Sequence, residues 1–96
     1  MAVRVMIKRH IKEGKTAEVT AILNGLRATA IHRHGYISGE TLVNHYNNRI
    51  IMVVSSWKTV EDWINWQENE ERDAKEAHLR DFLMEPPVYE IYDLGV

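Results

Sequence analysis

The sequence predicts an α+β domain with its elements in the order β-α-β-β-α-β. Three observations lead to this: apolar residues alternate at the start, two stretches carry apolar residues at helical spacing, and one short β-branched run lies between them. With 96 residues, the chain fits a single domain spanning 1–96.

Val3, Val5, Ile7 and Ile11 alternate with Arg4, Met6, Lys8, His10 and Lys12. A period of two is the pattern of a strand with one face in a core, and Gly14 ends it. Helical spacing follows, with Val19, Ile22, Leu23, Leu26 and Ala30 in one stripe. Thr16 is the expected N-cap. His32, Arg33 and His34 are expected in the last turn, where basic groups suit the helix dipole, with Gly35 as the C-terminal cap. Residues 36–45 alternate loosely and read as a second strand. Asn47 and Asn48 are placed at the hairpin turn, because Asn tolerates positive φ. Residues 49–57 differ: Ile50, Ile51, Met52, Val53 and Val54 are apolar without alternation. A β-branched run this short reads as a strand buried on both faces.

Thr59 to Asp62 has the form of a capping box. Val60, Trp63, Ile64 and Ala74 form a second helical stripe, but Leu79, Phe82 and Leu83 fall off it on a straight helix, and residues 68–73 are almost all polar. This discontinuity predicts a kink or a break. Pro86 and Pro87 stop the helix, and residues 88–94 are the last strand. The order is ferredoxin-like: a four-stranded antiparallel sheet with two helices on one face. Those helices cover one face only, whereas the run at 50–54 calls for cover on both. A second copy of the chain, in a C2 homodimer, is the simplest cover. The alternative is a monomer with an exposed apolar patch. Met52 and Val54 are assigned to the dimer side, and Ile51 and Val53 to the helix side.

Composition excludes several classes of function. There is no cysteine, and therefore no disulfide, thiolate nucleophile or Cys-based zinc site. A net charge of −2 gives no pull toward nucleic acid or an anionic membrane surface. No apolar run approaches the roughly 20 residues of a membrane span. The start of the chain lacks the regions of a signal peptide, so the expected location is cytoplasmic. His10, His32, His34 and His45 do not form a metal site by spacing, and no metal is expected. Residues 68–76 read as a solvated helix face with mixed charges at i,i+4, Glu68 with Arg72 and Glu71 with Lys75.

Three stretches together carry a family resemblance: His34-Gly35-Tyr36-Ile37-Ser38-Gly39-Glu40-Thr41-Leu42, then Val54-Ser55-Ser56-Trp57-Lys58, then Asp62-Trp63-Ile64-Asn65-Trp66. Over nearly its whole length the chain resembles the antibiotic biosynthesis monooxygenase (ABM) family. The resemblance implies that the sheet pairs with a second sheet into a dimeric α/β barrel, and that a small cavity lies between sheet and helices in each protomer. It implies a small cofactor-independent monooxygenase acting on an aromatic or quinol-like compound, with no cofactor. Two alternatives stay open: a non-catalytic small-ligand-binding or stress-related dimer, and a haem-binding or haem-degrading protein. A fold hosts many chemistries, so the site must decide.

The catalytic candidates are His78, His45 and Asn44, polar groups able to face such a pocket; a histidine suits a general base because it titrates near neutrality. The substrate-binding candidates are Trp66, Trp63 and Arg72. The plainer reading makes the two tryptophans core aromatics one turn apart and His78 a surface histidine. For haem, Trp66 matches the resemblance's pocket tryptophan. The axial histidine of that branch, however, follows its tryptophan by ten residues, and His78 follows Trp66 by twelve. On a straight helix that spacing is about 18 Å along the axis and about 120° around it. Ile7 stands where that branch has an asparagine.

Overall fold

Alternation in the first strand, β1 (Val3–His10), holds in three dimensions: Val3, Val5, Ile7 and Arg9 are buried, whereas Arg4 and Lys8 are exposed. The computed structural model describes residues 1–95; Val96, the last residue of the expected domain, lies outside them. Six further elements follow, α1 (Thr16–Ala30), β2 (Tyr36–Val43), β3 (Ile50–Trp57), α2 (Val60–Gln67), α3 (Glu70–Arg80) and β4 (Val88–Asp93). The strands form one antiparallel sheet in the order β2-β3-β1-β4, as the ferredoxin-like pattern requires.

Register assigns the faces. Val3, Val5, Ile7 and Arg9 lie opposite Trp57, Ser55, Val53 and Ile51 of β3, and these inward sets meet the helices. Val19, Leu23, Leu26 and Ala30 of α1, Trp63 and Trp66 of α2 and Leu79 of α3 complete one core. The intervening residues Met6, Met52 and Val54 point to the other side of the sheet, with Leu42 opposite Met52. Thus Met52 and Val54, not Ile51 and Val53, occupy the face that the helices leave open. There they are half-buried, while Leu42, Val88 and Tyr92 are exposed. On the same face Tyr92 donates to Glu90 at 2.7 Å; that hydrogen bond, followed by the carboxylate's charge, pushes the phenol's pKa up.

Several local expectations are corrected. Thr16 is the first residue of α1 and not its cap: Lys15 holds the cap position without a side-chain bond, after a turn at Gly14 with φ +77°. The helix ends at Ala30, and His32, Arg33 and His34 follow it. Gly35, with φ +82°, serves the turn into β2 and not the helix end. The β2–β3 connection is a six-residue loop, 44–49, in which Asn44 Oδ1 accepts from the N–H groups of Tyr46 and Asn47, and Asn47 Oδ1 accepts from that of Arg49. Side-chain acceptors stabilise this turn, and among the described residues only glycines take positive φ. Ile64 and Ala74 are exposed.

The second helical region does break. Thr59 caps α2 by accepting from Asp62 N at 3.1 Å, and Asn69 caps α3 by accepting from Glu71 N and Arg72 N at 2.9 and 3.1 Å. The polar stretch that marks the break is therefore a helix stop followed by a new start. Helix α3 ends at Arg80, well before Pro86 and Pro87, which instead lead into β4.

Positive φ at Gly14 and Gly35 gives a paired test. A Cβ at Gly14 meets no neighbour, whereas at Gly35 it runs into the Asp62 carboxylate. Gly14→Ala is expected to cost about 1–2 kcal/mol from backbone strain alone. Gly35→Ala adds a clash with Asp62 and should cost about 3 kcal/mol or more in urea unfolding. Equal losses would contradict this.

Candidate functional site

An arginine on the inward side of a central strand needs a partner, because an unpaired buried charge is costly. Arg9 is 2% exposed, and its Nη2 donates to Glu76 Oε1 of α3. The same oxygen accepts from Arg72 Nη2 at 3.3 Å, one helical turn back on α3. Arg72 also donates to the Tyr89 hydroxyl at 3.0 Å and to the Gln67 carbonyl at 3.5 Å. Its guanidinium lies over Trp63 at 5.2 Å and over Tyr89 at 5.8 Å. One buried carboxylate thus joins β1 to α3, and Arg72 extends the network to α2 and β4. Residues 68–76 are accordingly not a uniformly solvated face: Arg72 and Glu76 are 4% and 5% exposed.

Above this network lies a half-open cavity of about 60 Å³ between the sheet and the helices. Trp57, Trp63, Trp66 and Tyr36 supply its aromatic walls, with Arg9, Arg72, Glu76 and Ser55 as polar lining. Tyr36 meets Trp57 edge-on at 5.3 Å, and Trp57 meets Trp63 at 6.0 Å. The Trp57 indole donates to Ser55 Oγ at 3.1 Å, which fixes the ring along β3. Arg27 of α1 and Thr41 of the edge strand β2, both exposed, line the side toward solvent. The charged lining comprises three guanidinium groups (Arg9, Arg27 and Arg72) and one carboxylate (Glu76).

The structure brings Trp63, Trp66 and Arg72 together in this lining. Asn44, His45 and His78 lie elsewhere. Asn44 holds the β2–β3 loop, His45 is exposed beside Tyr46, and His78 is exposed on α3 with its ring 5.3 Å from that of Phe82. Breaking the helix between Trp66 and His78 does not carry His78 to the cavity. The residues do not fit haem: His78 is not in the lining, Ile7 presents only hydrocarbon there, and the volume is far below that of a macrocycle. Among the described residues, no group of three His, Cys, Asp or Glu is placed to hold a metal ion.

Arg9, Glu76, Trp57 and Tyr36 also line the cavity, although none of them is among the expected site residues. The signal for Arg9 was present: it holds the position between Ile7 and Ile11 in the buried half of the alternation. Glu76 carried no comparable mark, because a carboxylate on a charged helix reads as solvated.

The shared carboxylate should be indispensable to the fold. Glu76→Leu leaves two buried guanidinium groups without their common partner and is expected to cost about 3–5 kcal/mol in chemical denaturation. A loss below about 1 kcal/mol would place the pair in solvent-like surroundings.

Among solved structures, the chain superposes on a conserved protein from Methanosarcina mazei with a TM-score of 0.91 at 20% identity, covering 96% of this chain and 91% of that one. Rv0793 from Mycobacterium tuberculosis gives 0.91 at 9% identity, covering 100% and 97%. SnoaB, a cofactor-independent oxygenase from Streptomyces nogalater, gives 0.88 at 10% identity, covering 99% and 94%. At these identities the likeness is one of fold. No curated protein matches the chain in sequence. The family model for antibiotic biosynthesis monooxygenase matches residues 2–80, most of the chain, and the protein belongs to that family.

Proposed function

We propose that this protein is a cofactor-independent monooxygenase of a small aromatic or quinol-like compound, working as a homodimer. The observation that carries the reading is the aromatic-walled, half-open cavity with its buried polar floor; family membership and the fold shared with a cofactor-independent oxygenase support it. In such a reaction the substrate is its own reductant. A phenolate passes an electron to dioxygen, the radicals combine at the ring carbon, and loss of water gives a quinone. A phenol with one O₂ yields the quinone and one H₂O, so no other electron donor is needed. The protein contributes orientation, exclusion of water and proton transfer. Trp63 and Trp66 hold the ring, and Arg72 holds a ring oxygen.

The cavity is smaller than the roughly 150 Å³ void that accepts benzene, so an aromatic substrate enters by displacing side chains at the exposed side, where Arg27 and Thr41 stand. That small volume also favours the second reading, a dimer that binds a small ligand without turning it over. Oxygen uptake with a panel of hydroquinones and phenols separates the two. Uptake above buffer that falls at least tenfold in Trp66→Ala supports the oxygenase; no uptake with any member supports the binding protein. His45→Ala, His78→Ala and Asn44→Ala belong in the same assay: loss of uptake would bring those groups into proton transfer, and unchanged uptake would remove them from it.

The dimer is proposed through the open sheet face, where Met6, Leu42, Met52 and Val54 would meet their symmetry mates. Gel filtration at micromolar concentration should give twice the 11.2 kDa chain mass. Met52→Asp should shift the protein toward monomer or unfold it. A wild-type monomer sinks the proposal.

A further inference from the structure

Arg9 has more hydrogen-bonding capacity than the protein uses. Its Nη2 is bound to Glu76, but Nε and Nη1 are buried without any partner. Arginine is always charged and has no acceptor of its own, so these N–H groups await an acceptor from outside. A second donor in the lining, the Trp63 indole Nε1, is likewise buried without a partner. The cavity's charge points the same way. Its lining carries three guanidinium groups against one carboxylate, in a chain whose net charge is −2. Water at these donors would not offset that charge, whereas an anion reaching them satisfies the donors and offsets the charge.

Size and walls limit the anion further. About 60 Å³ admits the oxygens of a carboxylate or an ionised phenol but not a whole ring. A planar ring attached to that oxyanion meets the tryptophan walls and extends toward the exposed side at Arg27. We propose that Arg9 anchors an oxyanion, so that the ligand of this cavity is a ring-bearing carboxylate or phenol bound in its ionised form. This rests on reading the cavity as the ligand site. Arg9 then selects ionised over neutral ligands, a role separate from holding Glu76.

The probes are benzoate and benzamide, which match in shape and differ in charge, and 4-cyanophenol across the pH range in which it ionises. The chain's three tryptophans, Trp57, Trp63 and Trp66, all line the cavity, so their indole N–H signals in nitrogen-15 NMR report occupancy directly. Benzoate is expected to bind roughly tenfold or more tightly than benzamide, and 4-cyanophenol to tighten as it ionises. Arg9→Lys keeps a charge for Glu76 but loses the planar donors, and should reduce the preference for benzoate. Equal affinities for benzoate and benzamide together with no tightening of 4-cyanophenol as it ionises, or an undiminished preference for the ionised ligands in Arg9→Lys, would overturn the proposal. The wild-type comparison decides even if the variant fails to fold. Tightening in 4-cyanophenol alone assigns the site to phenolates, and in benzoate alone to carboxylates; shifts with neither overturn both Arg9's role and the cavity reading. Oxygen uptake by a neutral quinol without any preference for the ionised form of either probe removes Arg9's role and leaves the oxygenase standing. A preference for benzoate with no uptake from any quinol does the reverse.

Discussion

A guanidinium on the buried side of a central strand constrains everything packed above it. Arg9 sits in line with Val3, Val5 and Ile7, where neighbouring positions are apolar. Its charge is tolerable only if a carboxylate stands over β1 at that level, and Glu76 is that carboxylate. One oxygen of Glu76 also takes Arg72, so α3 must cross the sheet with the face bearing Arg72, Glu76 and Leu79 turned inward. Leu79, fully buried on the same face, adds apolar burial to the ionic tie.

The helix break follows from the same demand. A single straight helix from Val60 to Arg80 would turn the face carrying Trp63 and Trp66 away from the face carrying Arg72, Glu76 and Leu79. Stopping at Gln67 and restarting at a capped Asn69 lets both faces point at the sheet. Asn69 Oδ1 accepts from two N–H groups that a new helix start would otherwise leave unpaired. The cavity lies where these two helices, α1 and the sheet fail to close completely.

The two faces of the sheet therefore have different character. On the helix side, large aromatic rings and a polar network surround a small void. On the open side, Met6, Met52 and Val54 form an apolar centre, with charged residues such as Arg4, Lys8, Glu40 and Glu90 among their neighbours. Because successive side chains of a strand point to opposite sides, one strand serves both: β3 gives Trp57, Ser55 and Val53 to the cavity and Met52 and Val54 to the open face. This explains why the run at 50–54 lacks alternation.

The sequence by itself determined the element order, because periodicity is a local property. Alternation marked β1, helical spacing marked α1, Thr59 announced the cap of α2, and the polar stretch before Leu79 announced the break. Trp63, Trp66 and Arg72 were legible as lining candidates, and Arg9's place in the alternation was legible in principle. Turn details were not: Lys15, Gly35 and the 44–49 loop depend on where neighbouring elements draw the chain. Nor was it legible that Glu76 faces inward, or that Asn44, His45 and His78 stand away from the cavity. Only the tertiary structure decided these points. A charged side chain has the same local spacing whether it faces water or a partner, and the partner, Arg9, lies 67 residues away in the chain.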